Sequence, residues 1–105
     1  MKQSKPPRTY ERFVERYPKL GEAWTAIREA EAQGPLDGRV ARLVKLAIAI
    51  GALKEGAVHS AARKALAAGI TRAEVEQVVA LAAATIGLPS TVAVDTWVQE
   101  ILGAR

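Results

Sequence analysis

Apolar side chains surround almost the whole circumference of the helix that the sequence predicts between Asp37 and Gly51. These apolar residues are Val40, Leu43, Val44, Leu46, Ala47, Ile48 and Ile50. The long polar side chains recur at steps of three and mark one narrow stripe: Arg39, Arg42 and Lys45. A helix that is apolar nearly all round is normally buried by its neighbours. We therefore predict that this helix is the buried centre of an all-α fold.

Glycine, proline and capping residues divide the rest of the chain into further helices. The predicted segments run from Pro6-Pro7 to Pro18, from Leu20 to Gln33, from Lys54 to Ala68, from Thr71 to Gly87, and from Ser90 to Leu102. Asp37 and Ser90 are predicted N-caps, Thr71 and Glu74 a capping box, and Gly69 a helix-ending glycine. No segment alternates with the period of a strand for long enough to compete. The pattern predicts a bundle of about six helices.

The length of 105 residues corresponds to one domain. We expect residues 1–35 to form a basic segment and helices that pack on a core of residues 36–105. Alanine supplies much of the apolar content and only five residues are aromatic. Small scaffolds with modest cores commonly gain stability from a partner. The composition therefore favours a homo-oligomer.

Several classes of function are excluded or not expected. The chain has no cysteine, so disulfides, zinc–thiolate sites and thiol redox chemistry are excluded. With one histidine, a cluster of histidine ligands cannot form within one subunit, and we predict no metal site and no cofactor. The uncharged run from Val78 to Val94 is too short to cross a bilayer. No apolar leader follows the basic start, so we expect a cytoplasmic protein without a membrane partner.

Positive charge is concentrated at the beginning of the chain. Residues 1–19 carry six lysines and arginines against two glutamates, whereas the remaining residues balance to zero. Such a segment could contact nucleic acid or an acidic partner, but a solvated terminus followed by an amphipathic helix is the more ordinary explanation. Residues 62–79 also have the outline of a helix-turn-helix. Glu74 and Glu76 would repel phosphate there, so nucleic-acid binding is not expected.

The candidate reactive group is His59, which follows Glu55 by four residues. Residues four apart lie on one face of a helix, and Arg63 continues the same row. A carboxylate beside an imidazole can fix its tautomer and stabilise the imidazolium, as in a general acid or base. The same row is also an ordinary charged stripe on an exposed helix. Small neighbours such as Gly56, Ala57 and Ser60 favour the first interpretation, because few long side chains screen this face from a neighbouring helix, but both interpretations stay open.

The segment from Leu36 to Leu102 resembles the core of the carboxymuconolactone decarboxylase and alkylhydroperoxidase D (AhpD-like) family. The resemblance rests on the order of the helices, on the histidine, on the Ala-Gly-Ile-Thr that ends the following helix, and on the Ile-Gly-Leu-Pro turn. It implies an all-helical subunit that assembles into a trimer, a hexamer or a similar ring. It also implies a small site near the histidine.

The chain departs from the peroxidase members of that family. Those proteins carry Cys-x-x-Cys just before the histidine, where this chain has Ala52 and Glu55. They also use an upstream glutamate, where this chain has Val40 or, after a short gap, Arg42. The decarboxylase branch lacks the cysteine pair and has an acidic residue before the histidine, which is similar to Glu55 and His59.

Two functions follow as hypotheses. In the first, the protein performs cofactor-free acid/base chemistry on a small organic acid or carbonyl compound. His59 transfers the proton, Glu55 orients or balances it, and Arg42 or Arg63 neutralises a substrate carboxylate, while Thr85 could line a pocket beside His59. In the second, the protein is a non-catalytic assembly or small-ligand-binding protein that has kept the fold without the redox site.

Overall fold

The computed structural model describes residues 8–103, which contain helices and no strand. They fall into two compact units, residues 8–36 and residues 37–103. The prediction of an all-α fold is confirmed for this part of the chain. None of its helices is both long enough and apolar enough to cross a membrane.

The first unit is a pair of helices, α1 (Arg8–Arg16) and α2 (Pro18–Glu31). They approach closely where α2 has Gly21, since a Cβ at this position would lie 3.2 Å from the Cβ of Val14. Pro18 was predicted to stop the first helix, and it also begins the second, two residues before the predicted start. Proline suits this position because the first helical N–H has no intrahelical partner. The predicted role of Pro6 and Pro7 lies outside the described residues.

The second unit contains α3 (Gly38–Gly51), α4 (Glu55–Ala67), α5 (Arg72–Leu81), α6 (Ala83–Ile86) and α7 (Leu88–Leu102). Helix α4 packs mainly against α3, α7 and α5. Its inward side chains are small, and Ala62 and Ala65 are completely buried. The core consists of Leu46, Ala49, Ile50, Val58, Ala62, Ala65, Ile70, Val75, Val79, Val94 and Val98.

The prediction that α3 is buried all round is wrong. Only Leu46, Ala49 and Ile50 of this helix are buried, on the side that packs against α4 and α5. Another row of α3 is exposed: the side chains of Val40, Val44 and Ile48 keep 40%, 40% and 64% of their accessible surface. A helix with apolar residues on all sides can be buried. Its sequence does not show whether the helices that bury it belong to the same chain.

The helix ends follow local chemistry in most places. The Asp37 side chain accepts a hydrogen bond from the Val40 N–H at 2.9 Å, and Thr71 and Glu74 form the predicted capping box. Gly69 has the positive φ of +90° expected of a glycine after a helix. In the turn between α3 and α4, Leu53 also has a positive φ, of 54°.

Two predicted boundaries are wrong. The segment from Thr71 to Gly87 is not one helix, because α5 ends at Leu81 and α6 begins at Ala83. At the break, the N–H of Ala82 bonds to the carbonyl of Val79, three residues back, which tightens the turn. The last helix begins at Leu88 with Pro89 in its first turn, so Ser90 is not its N-cap.

Candidate functional site around His59

The packing of α4 against α7 determines where His59 lies. Val58 and Ala62 of α4 are buried in the core, as are Val94 and Val98 of α7. Because side chains one and three positions away from His59 point inward, the imidazole lies at the edge of the contact between these helices. Its side chain keeps 25% of its accessible surface, so it is partly desolvated and still reachable from water.

The closest partner of His59 is a carboxylate from the other end of the second unit. Nε2 of His59 lies 2.8 Å from Oε1 of Glu100 on α7, which is hydrogen-bonding distance. The Glu100 side chain is 54% exposed. A hydrogen bond of this kind determines which ring nitrogen carries the proton, so it leaves Nδ1 as the proton-accepting nitrogen when the ring is neutral.

Glu55 completes a cluster of three polar side chains. It lies in the first turn of α4, one helical turn before His59, as the spacing indicates. One donor atom each from Glu55, His59 and Glu100 lies within 4.8 Å of the other two. One imidazole and two carboxylates can hold and move a proton, and they are also groups that ligate cations.

Glu100 is absent from the sequence-based list of candidate residues. The spacing of Val94 and Val98 indicates that one face of α7 is buried, and Glu100 follows this face by two positions. No sequence signal tells which helix covers that face. The partner of His59 therefore becomes visible only when α7 is placed against α4.

The other candidate residues are dispersed. Arg63 lies one turn after His59 on α4 and is half-buried, and Arg42 is half-buried on α3. Within residues 8–103, neither arginine side chain has a hydrogen bond or an ion pair. Thr85 is an exposed residue of α6 and lines a groove to which Glu55, His59 and Glu100 do not contribute.

That groove is mainly apolar and has a volume of about 490 Å³. Its walls come from α3, α5 and α6: Leu43, Val44, Ala47, Ile50, Gly51, Glu74, Gln77, Val78, Leu81, Ala82, Thr85 and Ile86. The volume is within the usual range for small-molecule sites. The described part of the chain thus separates a polar cluster on α4 and α7 from an apolar groove on other helices.

Glu74, which lines the groove, forms an ion pair with Arg39. Nη2 of Arg39 donates to both carboxylate oxygens of Glu74, which joins α3 to α5. The Arg39 hydrogen bond, followed by the bond from the Thr71 N–H, lowers the pKa of Glu74 to about 2. The same contact raises the pKa of Arg39. Glu74 is therefore a fixed anion at neutral pH.

Arg72 forms hydrogen bonds with the C-terminal end of α7, which also carries Glu100. Its Nη1 donates to the carbonyl of Leu102 at 2.9 Å, and its Nη2 donates to Oε1 of Gln99 at 3.1 Å. Its Nε makes an ion-pair contact of 3.4 Å with Glu76 without hydrogen-bond geometry. The guanidinium is thus engaged within the second unit, and it holds a carbonyl at the end of α7 that has no partner inside the helix.

The sequence of this chain matches the model of a known protein family. The model of the carboxymuconolactone decarboxylase family matches residues 18–100, which span α2 through most of α7. The match therefore includes α2, whereas the resemblance found in the sequence began at Leu36. No curated protein and no solved structure matches the chain. Since the match covers far more than half of a chain that contains no cysteine, the protein belongs to the carboxymuconolactone decarboxylase family, in its cysteine-less branch.

Proposed function

We propose that the protein performs cofactor-free acid/base chemistry on a small organic acid or carbonyl compound, with His59 as the group that transfers the proton. The observation that carries this proposal is the 2.8 Å contact between Nε2 of His59 and Oε1 of Glu100. A base that is oriented by a third group is the usual arrangement of a working imidazole. Nδ1 of His59 is then the atom that accepts the substrate proton.

The two carboxylates have different roles in this mechanism. Glu100 accepts the hydrogen bond from Nε2 and thereby fixes the tautomer and the ring orientation. Glu55 comes within 4.8 Å of the imidazole donor atom and balances the imidazolium that forms after proton transfer. Glu100 thus takes over the orienting role that the sequence assigns to Glu55.

A substrate carboxylate needs a cation near the imidazole. Arg63 is the better candidate, because it lies one turn after His59 on the same row of α4 and has no ion-pair partner among residues 8–103. Arg42 on α3 is the second candidate. Thiol peroxidase chemistry is not part of this proposal, since the chain contains no cysteine.

A comparison of variants tests the proton-transfer role. Once screening of small organic acids and carbonyl compounds has identified a turnover, we expect His59→Ala to lower kcat by roughly 100-fold or more, the usual contribution of a general acid or base. Glu100→Gln keeps the size of the side chain and should lower kcat with little change in KM. The matched control is Glu22→Gln on α2, which removes an exposed carboxylate of the first unit. Unchanged kcat in a folded His59→Ala variant would remove His59 from the mechanism.

A second candidate function is non-catalytic binding of a small apolar ligand. The observation that favours it is the separation of the 490 Å³ groove from the polar cluster, because a substrate in this groove would not contact His59. Binding of apolar probe molecules, measured by protein NMR, should perturb Val78 and Thr85. Under this function, Val78→Glu abolishes binding and His59→Ala leaves it intact; the reverse result contradicts it.

We also propose that the chain assembles into a homo-oligomer such as a trimer or a hexamer. Supporting this, the apolar row Val40, Val44 and Ile48 on α3 is exposed, and so is Leu81 on α5 with 69% of its surface accessible. Light scattering should give a mass that is a multiple of 11.2 kDa. Ile48→Glu should lower this mass, whereas Thr96→Glu on α7 adds the same charge at an exposed site and should not. A wild-type mass of 11.2 kDa would refute the assembly.

A further inference from the structure

Glu55, His59 and Glu100 offer two kinds of ligand atom, which distinguishes them from a group of exposed acidic residues. An imidazole nitrogen is present together with two carboxylate oxygens, and each donor atom lies within 4.8 Å of the others. The two carboxylates come from different helices, Glu55 from α4 and Glu100 from α7. The donors therefore converge because of the fold and not merely because they are neighbours in sequence.

The spacing of these donors is close to what a first-row transition metal needs. Bonds from Zn²⁺ to imidazole nitrogen and carboxylate oxygen are about 2.0–2.2 Å long, so ligand atoms on a tetrahedral ion lie about 3.3 Å apart. His59 and Glu100 are already at 2.8 Å, and Glu55 lies within the 4.8 Å limit. Glu55 and Glu100 are both exposed, so their side chains have room to rotate towards a common ion.

The charge of the site also favours a dication. Two carboxylates and a neutral imidazole carry a charge of about −2, which Zn²⁺ neutralises. The N-terminus of α4 opposes this attraction, since a helix start carries about half a positive unit charge. Two full carboxylate charges outweigh that contribution. The nitrogen donor selects a transition metal over Mg²⁺ and Ca²⁺, which prefer sites made of oxygen alone.

We propose that Glu55, His59 and Glu100 form a binding site for a divalent transition-metal ion such as Zn²⁺, with the remaining coordination position open to water or a small anion. This site goes beyond the proposed proton-transfer function. A bound ion occupies a lone pair of the same imidazole, so the two uses of His59 compete. Metal binding is measured without any turnover, so failure of the acid/base hypothesis and failure of the metal site are distinguished by separate experiments.

Calorimetric titration of the untagged, full-length protein with ZnCl₂ tests the site, and a titration with CoCl₂ reports the ligand geometry through the visible absorption of Co²⁺. We expect one ion per chain, and much weaker binding of MgCl₂. His59→Ala, Glu55→Gln and Glu100→Gln should each weaken Zn²⁺ binding by roughly tenfold or more, since even groups that only orient a ligand contribute about this much. Glu22→Gln removes the same charge on α2 and should bind as the wild type does.

These measurements distinguish a specific metal site from nonspecific attraction of cations to negative charge. Absence of Zn²⁺ binding by the wild-type protein overturns the proposal. Wild-type affinity in any one of the three ligand variants overturns the three-ligand site, and so does equal weakening by Glu22→Gln. Circular dichroism shows whether His59→Ala is folded. If it is not, the two glutamate variants carry the test, because both residues are exposed and removing either charge leaves the core intact.

Discussion

Thr71 shows how much of a helix start can rest on one side chain. Its Oγ1 accepts the N–H of Glu74 at 3.1 Å, while the Glu74 carboxylate accepts the N–H of Thr71 at 2.9 Å. Both bonds satisfy N–H groups that have no partner inside α5. Glu74 also pairs with Arg39. The cap therefore positions one member of the ion pair that joins α5 to α3.

Replacement of Thr71 by alanine should destabilise the protein. The lost cap is expected to lower the free energy of unfolding by about 1 kcal/mol. Urea denaturation followed by circular dichroism measures this change. Thr96→Ala is the matched control, because Thr96 lies inside α7 with an exposed hydroxyl that bonds to the carbonyl of Val92. Alanine has the higher helix propensity there, so this control should lose no stability; an equal loss in both variants would contradict the capping argument.

At this scale the sequence predicts what depends on near neighbours. Asp37, Thr71 and Gly69 have the predicted capping roles because their hydrogen bonds and dihedral angles involve residues a few positions away. The spacing of Glu55 and His59 likewise places both on one face of α4. The bond from His59 to Glu100 joins residues 41 positions apart, and no local pattern contains it.

The contact between α3 and α5 is partly electrostatic. Arg39 in the first turn of α3 pairs with Glu74 in the first turn of α5, and the pair keeps 49% and 38% of its side-chain surface exposed. Because water screens such a pair, its stabilising effect is modest at neutral pH. Its clearest consequence is a dependence of stability on pH.

Acidification should weaken the link between α3 and α5. The pKa of Glu74 is about 2 in the folded chain against an ordinary value of 4.5, so between these values the unfolded chain binds the additional proton. Stability from this group is therefore present above about pH 4.5 and is lost as the pH falls towards 2. Thermal melts across this range should show a smaller decline of Tm in Glu74→Gln than in the wild type.

Glutamine is suited to this comparison because it can still serve in a capping box. Arg39→Gln provides a second variant, which removes the partner that lowers the pKa of Glu74 and should also flatten the pH dependence. A decline of Tm in Glu74→Gln as steep as in the wild type would show that other groups dominate acid unfolding.

The predicted helix boundaries and burial are wrong where packing between helices, and not local chemistry, determines them. Residue Ala82 interrupts the predicted fifth helix although alanine has the highest helix propensity, so no signal marks the break. Leu88 and Pro89 begin α7 in place of the more typical cap Ser90. Helix α3 exposes Ile48 for a related reason, since its composition gives no information on how many neighbours one chain provides.

For the whole molecule, membership of the family indicates the architecture but does not identify the reaction. The family region runs from residue 18 to residue 100 and includes every helix after α1 in whole or in part. One fold can carry different chemistries, so the activity has to be argued from its side chains. Here those side chains are His59, Glu55 and Glu100, without a thiol anywhere in the chain.

The untagged protein should therefore lack thiol peroxidase activity. With hydrogen peroxide and a dithiol reductant, we expect peroxide consumption at the rate of the same mixture without protein, because no cysteine is available to be oxidised. The readout is residual peroxide over time at several protein concentrations. Consumption that rises with protein concentration would require a reductive chemistry that none of the three clustered side chains supplies.

The left-handed backbone at Leu53 has a consequence for how this family member can vary. A non-glycine residue at a φ of 54° is uncommon, and it lies two positions before α4 begins at Glu55. The turn determines the rotational phase of α4. With 3.6 residues per turn, an insertion or deletion of one residue there would rotate His59 by about 100° about the helix axis, away from Glu100. The length of this three-residue turn, Ala52 to Lys54, is thus as much a condition for the site as the identity of its side chains.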